Sequence, residues 1–508
     1  MGSTFAGLEI SKRGMTAQQG ALYTTGQNIS NANTPGYTRQ RVTFKATEAF
    51  PSPSLEMPKI PGQMGTGVEA ETVERVRDKF LDMQFRSENT KTGYYSARSE
   101  ALLKMEEIMN EPSEAGLSKT MDRFWQSLQD LAANPTNTGA RSVVQQRGIA
   151  VADTFKYLST SLQSVQKDLK SQIDISAKEI ESIASQLNRI NQQISEIEPH
   201  GYLPNDLYDE RDRLIDQLSS FVPVKVSYPV KPGGNALKVA EGVVTVELLG
   251  ADGTTPAGKL VDGENRTASA FTVDYDNTSG LVNGFKLGDA SIALSGMQSS
   301  GKMLGLVQSY GYMEGGSVKG TFSDMQKDLD DLAEAFVAEF NAIHQSGYNL
   351  NEFTTPKGTG TGISFFTFEA GKTGAAGMKV TDEILTSPDN IAAAIGPNPT
   401  AGNGANALKL AEVKNEILTG LPDSGTFQTF YESMIGGMAV EAQEAERMLN
   451  NTNTLKDSVE TRRQSVSAVS LDEEMTNMIQ FQHAYNASAR MITMQDQLLD
   501  TIINKMGL

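Results

Sequence analysis

Two segments at opposite ends of the chain repeat an apolar residue every seven positions, and a stable fold has to cover both seams. Leu8, Met15, Leu22 and Ile29 fall seven apart near the start, and Leu471, Met478, Tyr485, Ile492, Leu499 and Met506 do so near the end. Seven residues is slightly less than two turns of α-helix, so helices that keep this spacing coil around a partner to hold the seam buried. The ends are therefore expected to form a terminal coiled-coil assembly domain, residues 1–33 with 471–508. Polar Ser11, Gln18 and Thr25 interrupt the second seam positions of the first helix, which argues against a self-sufficient two-stranded coil and for contacts with several neighbours. One such seam does not offset the entropy of ordering about sixty residues, so the ends are expected to order on polymerisation. Methionines at 475, 478, 491, 494 and 506 suit a surface that must fit varied surroundings.

Between the ends the pattern is mainly helical. The first helix spans 4–31 and is stopped by Asn31, Asn33, Pro35 and Gly36, with Pro-Gly placed for positions two and three of a type II turn. Helical spacing returns over 71–110 (Val73, Val76, Phe80, Met83), over 116–133 and, at greatest length, over 140–198. Unbroken, that last run makes a helix about 90 Å long, ended by Pro199. After Phe221 short alternating runs such as Val222, Val224, Val226 and Phe271, Val273, Tyr275, punctuated by Asp-Gly and Asn-Gly, predict antiparallel strands. Residues 222–300 are thus expected as an inserted β domain, and 346–406, glycine-rich and weakly patterned, as a second small insertion or flexible segment. The helical body takes 34–221 with 301–345 and 407–470. The fold class is mainly α with an inserted β domain: discontinuous terminal coiled-coil helices, an elongated helical-bundle body and a protruding antiparallel insertion. Ser470 followed by Glu473 predicts a capping box at the start of the last helix.

Several function classes are disfavoured. The 44 basic and 62 acidic residues give a net charge of −18, a poor footprint for nucleic acid or an anionic membrane surface. With no cysteine, disulfides and thiolate metal sites are impossible. No window reads as a membrane span or a signal peptide, so a chain that leaves the cell does so by another route. His200, His344 and His483 stand apart with no metal-ligand spacing, and Gly358 to Gly362 lacks the Lys-Ser/Thr sequel of a phosphate loop. Asp274, Asp276 and Asn277 suit a strand-end turn better than a calcium loop, whose bidentate position would be Phe285. No catalytic, metal or cofactor site is expected.

The ends also carry specific motifs. Asn28-Ile29-Ser30-Asn31-Ala32-Asn33-Thr34-Pro35-Gly36-Tyr37-Thr38-Arg39-Gln40 closely resembles the N-terminal motif of bacterial flagellar rod, hook and hook-associated proteins, and Leu471-Asp472-Glu473-Glu474-Met475 with Phe481 to Arg490 resembles the matching end. Asn205 to Leu214 is similar to a segment of the hook-associated members. The resemblance implies a structural subunit that forms a ring between hook and filament, touches the hook protein and hook-associated protein 3, and leaves through the flagellar type III apparatus to an extracellular position. It also implies an export chaperone, for which Met478, Tyr485, Ile492 and Leu499 are the candidate contacts, and a bend at Asn31, Asn33, Thr34, Pro35, Gly36 and Tyr37 where the inner helix ends. Alternatives are another axial subunit, of hook-associated protein 3 or distal-rod type, and a non-flagellar helical surface adhesin.

Overall fold

The computed structural model describes residues 5–505 apart from 51–62, 110, 112, 115, 229–232, 297–299, 354–359, 373, 397–399 and 422–424. Met506 and the first residues of the 358–362 stretch lie outside the described set. In chain order the helix α1 (Ala6–Ser30) is followed by strands β1 (Gln40–Ala46) and β2 (Val68–Arg75). Next come α2 (Lys79–Met109), α3 (Leu117–Ala133), α4 (Thr138–Ile197) and α5 (Asn205–Phe221). Seven strands follow: β3 (Val224–Ser227), β4 (Thr245–Leu249), β5 (Pro256–Asp262), β6 (Thr267–Ala268), β7 (Phe271–Tyr275), β8 (Val282–Leu287) and β9 (Ala290–Ala293). After α6 (Lys302–Tyr310), β10 (Tyr312–Glu314) and β11 (Ser317–Lys319) comes α7 (Thr321–Ser346). The last stretch holds β12 (Phe366–Phe368), β13 (Met378–Val380), α8 (Asp382–Thr386), α9 (Ala405–Glu412), α10 (Phe427–Ser467) and α11 (Leu471–Asp500). The protein is mainly helical with small, largely antiparallel sheets, and α4 runs unbroken for 60 residues.

Two compact units form, each from separated stretches of chain. Unit 1 comprises Met1–Thr90, Ile180–Ala270 and Thr452–Leu508, and unit 2 comprises Lys91–Glu179 and Phe271–Asn451. The strands expected as one insertion over 222–300 fall into both. In unit 1, β3 to β6 make a four-stranded sheet tied to the C-terminal part of α4, where the Asn191 amide donates to the Val244 carbonyl at 2.8 Å and accepts the Val244 N–H at 3.0 Å. In unit 2, β7 to β11 form a second sheet, and the Tyr275 hydroxyl donates to Asp174 of α4 at 2.7 Å. Sheets this small cannot bury both faces on themselves, and each is tied to α4 by these bonds.

Unit 2 has an aromatic core. Phe124 of α3 lies 5.4–5.9 Å, centroid to centroid, from Trp125, Phe340, Phe365 and Phe366. Phe365 and Phe366 belong to the glycine-rich stretch expected as an insertion or flexible segment, and both are fully buried. The same stretch is held by Arg141, which donates to the carbonyls of Pro135 and Ile391 at 2.8 and 2.7 Å. His344 is a core residue: Nδ1 bonds the Ile363 carbonyl at 2.8 Å, Nε2 accepts the Ala392 N–H at 3.0 Å, and burial lowers its pKa to about 4.

Three local expectations change. Val73 lies on β2 and α2 begins at Lys79, because β1 supplies a ladder partner that outweighs the 3–4 spacing of Val73, Val76 and Phe80. The Ser470 side chain makes no capping bond; Glu473 and Glu474 are drawn to Arg39 instead. Pro35-Gly36 behaves as the sequence indicates, with the Tyr37 N–H on the Thr34 carbonyl at 3.1 Å and Gly36 at φ 84°.

Candidate assembly interface

Helices α1 and α11 lie side by side in antiparallel register. A Cβ on Gly7 would sit 2.9 Å from the Gln495 side chain, one on Gly14 3.2 Å from Ser488, and the Asn28 amide donates to Glu474 at 3.1 Å. Gly7, Gly14 and Asn28 share a seven-residue row with Ala21, and Ser11 and Thr25 fill the positions between. The seam on α1 is therefore a row of small residues, with Ser11, Ala21, Thr25 and Asn28 buried. Small side chains let the two helix axes approach closely. The row of large residues read from the sequence, Leu8, Met15, Leu22 and Ile29, sits one position round and is only half-buried. Ser11 and Thr25 do not interrupt the seam, they form it.

On α11 the facing row is Glu474, Met478, Phe481, Tyr485, Ser488, Ile492, Gln495 and Leu499, buried or half-buried throughout. Leu471 is exposed. The β1–β2 ribbon is a third partner: a Cβ on Gly67 would lie 3.5 Å from the Ile10 backbone, Arg13 reaches the Thr66 carbonyl, and Phe44 meets Phe481 at 6.2 Å. This ribbon supplies contacts that a lone two-helix pair lacks.

Away from α1, α11 carries two exposed apolar ridges. Leu471, Met475 and Ile479 are spaced four apart, and Met491, Met494 and Leu498, continued by Ile502 in the π-helical turn Thr501–Lys505 that follows α11, take steps of three, four and four. From Met475 to Ile502 these ridge residues keep 44–56% of their surface exposed. At 3.6 residues per turn the 16 positions from Met475 to Met491 amount to about four and a half turns, which puts the ridges on different flanks of the helix.

The junction of α1, α11 and α5 is held by polar side chains. Asn28 is at the centre: its amide N–H reaches the Gln40 carbonyl at 2.8 Å, and its carbonyl accepts from Gln40 N at 3.0 Å and from the Tyr37 hydroxyl at 2.9 Å. Arg39 bridges Glu473 and Glu474 at 2.7 and 2.8 Å, and Glu474 is 2% exposed. The Thr38 N–H donates to Asp209 at 3.0 Å. From there an ion network runs inward, Arg75 meeting Asp209, Asp212 and Glu241 at 2.8, 2.9 and 2.7 Å, with Arg77, Arg86 and Arg463 pairing Asp82, Asp212 and Asp216. Burial alone would raise the Asp212 pKa, but Arg77, Arg211, Arg75 and Arg86 together hold its carboxyl well below the usual range. Burial dominates at Asp209, whose pKa is raised, and at Tyr37, where burial and then Asp209 push the phenol up. Of the bend residues, Asn33, Thr34, Pro35 and Gly36 are exposed, while Asn31 donates to the Gln27 carbonyl at 3.1 Å. Arg39 lies in the 28–40 motif and Asp209 and Asp212 in the 205–214 motif, which are the signals that mark them, whereas nothing in the sequence marks Arg75.

Among the described residues no group of three or more His, Cys, Asp or Glu could hold a metal ion, and no helix is long and apolar enough to cross a membrane. Residues 8–38 match the flagella basal body rod protein family and residues 462–505 the flagellar basal body rod FlgEFG protein C-terminal family. Residues 102–366 match the flagellar hook-associated protein FlgK helical domain. The chain is 47% identical to flagellar hook-associated protein 1 of Bacillus subtilis strain 168 over 100% of its own length and 99% of the relative's. To the protein of that name from Salmonella typhimurium it is 26% identical, over 97% and 98%. The flagellar hook junction protein FlgK from Burkholderia pseudomallei shares the fold, with a TM-score of 0.59 at 14% identity over 76% of this chain and 100% of that one. The chain belongs to the flagellar hook-associated protein 1 family and is a structural component of the flagellum at the hook–filament junction.

Proposed function

We propose that the chain builds this junction by polymerising through its terminal helices. The observation that carries the reading is the pair of apolar ridges on different flanks of α11. A subunit that repeats head to tail needs two unlike faces, one for the neighbour on each side, and such interfaces close into rings or continue as helices. A ridge flanked by polar surface is the pattern of a partner site. Leu8, Met15, Leu22 and Ile29 line the edge of the pair and add to the contact with neighbours, as does Leu471, while Met478, Tyr485, Ile492 and Leu499 hold α11 against α1 and so present its ridges.

In this reading copies of the chain form a ring that meets the hook protein on one side and hook-associated protein 3 on the other. The unfolded chain travels through the flagellar type III apparatus to the cell exterior, and a dedicated chaperone beforehand covers the apolar ridges and takes the place of α1 over Met478, Tyr485, Ile492 and Leu499. The polar joint at Asn28, Arg39 and Glu474 fixes the angle at which the helix pair leaves the rest of unit 1. The role is structural, without catalysis.

Electron microscopy of a deletion strain tests the junction role. Hooks without filaments are expected, with filament protein in the medium and both defects reversed by the wild-type gene. Normal filaments in the deletion strain would favour the adhesin alternative.

A further inference from the structure

We propose that Met475, Met491 and Met494 form an oxidation site through which peroxide keeps damaged free chains out of the flagellum. Five methionines among the described residues are strongly exposed, and three of them sit on the two ridges of α11, one on the first and two on the second. The others, Met64 and Met83, lie elsewhere, 49% and 63% exposed. Met105, Met109, Met121, Met303 and Met378 are packed in the interior, where an oxidant cannot reach the sulfur. The chain has no cysteine to act as a competing thiol. Thioethers therefore carry its accessible sulfur chemistry, and that chemistry is concentrated on the proposed contact surface.

The step is an oxygen-atom transfer. A sulfur lone pair attacks one oxygen of hydrogen peroxide, the O–O bond breaks, a sulfoxide S–O bond forms and water leaves; the sulfur loses two electrons and the peroxide gains them. The product is a polar side chain with a strong acceptor. Packing it against a neighbour's apolar surface leaves that acceptor without a partner, which opposes assembly. Leu498, Ile479 and Ile502 complete the ridges but cannot be oxidised this way, so the sensitivity resides in the three methionines. A chaperone or a neighbour that covers a ridge shields its sulfurs, so the vulnerable form is the chain covered by neither.

This inference rests on the reading of the ridges as contact surfaces. Strains producing the wild-type chain, a Met475→Leu/Met491→Leu/Met494→Leu variant or a Met64→Leu/Met83→Leu variant are grown with and without sublethal hydrogen peroxide, and filaments per cell are counted. Equal counts are expected without peroxide. With it, the wild type and the Met64/Met83 variant should fall about tenfold below the triple variant. Equal losses in all three strains overturn the proposal. Should leucine itself disturb the ridges, peptide mass spectrometry of wild-type flagella decides the matter: sulfoxide at 475, 491 and 494 should be about tenfold rarer than at 64 and 83, and equal occupancy overturns the proposal. Failure of the underlying assembly reading looks different, since aspartate on the ridges would then leave filament counts unchanged without any peroxide.

Discussion

Unit 2 is held by rings and unit 1 by charges. In unit 2 Phe124, Trp125, Phe336, Phe340, Phe365 and Phe366 touch one another, and its deeply buried Arg141 is satisfied by backbone carbonyls. In unit 1 Arg75, Arg77, Arg86 and Arg211 are paired with Asp82, Asp212, Asp216 and Glu241 beneath the surface. Apolar packing stabilises without fixing direction, whereas an ion network is satisfied in few geometries and desolvation takes back much of its Coulombic gain. The costlier arrangement stands where segments from both ends of the chain and α5 meet. In the proposed assembly, directional bonding there sets how the terminal helices are presented, and the rings of unit 2 supply bulk stability.

The largest effects should separate the two units by their response to conditions. Asp212→Ala removes the carboxylate that Arg75, Arg77 and Arg86 share, leaving excess buried positive charge although each keeps another partner, and should cost about 3–5 kcal/mol. Phe340→Ala should cost a similar amount, about 3–5 kcal/mol, by opening a cavity. Denaturant titrations at several pH values distinguish the cases. The Asp212 contribution is complete above the unfolded carboxylate pKa and disappears as pH falls below it toward the depressed folded value, whereas the Phe340 loss is constant with pH. Asp209, raised by burial, acts in the opposite sense and softens the unit 1 transition.

A pH response in unit 2 should come from His344 and at a different range. Its folded pKa of about 4 lies below the unfolded value of roughly 6.5, so neutral His344 contributes about 3 kcal/mol above pH 6.5, lost as pH falls toward 4. His344→Gln should flatten unit 2 melting between these limits while leaving the acid response of unit 1 in place. A smaller and more local effect is expected at the joint. Arg39→Ala removes the ion-pair partner of buried Glu474, leaving it the Asn28 amide, and should cost about 1–3 kcal/mol, seen as faster amide exchange in the first turns of α11. Equal exchange in both proteins would show that the angle of the helix pair is set elsewhere.

Much of this contrast could be read along the chain, but not its joints. α4 was legible because 60 residues of one period leave no rival pattern. The turn at Thr34 to Tyr37 was legible because proline and glycine each demand their position. The α1 seam was read one residue off, since Gly7, Gly14 and Ala21 carry no hydrophobic signal and Leu8, Met15 and Leu22 carry a strong one. Glu473 was given to a local cap because its real partner, Arg39, lies 434 residues away. An extended stretch after the turn at Pro35-Gly36 is legible and is β1, but its pairing with β2 is not, for a similar reason: the ladder joins strands on either side of a long connection. The flagellar motifs marked which residues matter at the joint without saying what each one touches.

The most direct test of assembly through the outer face of α11 is to place charge on both ridges with Ile479→Asp and Leu498→Asp, residues that point away from α1. The helix pair should form as before, with an unchanged circular dichroism spectrum and melting point in the purified chain, while cells carrying the variant have hooks without filaments. Filaments at wild-type number would contradict the proposal that these ridges join one subunit to the next.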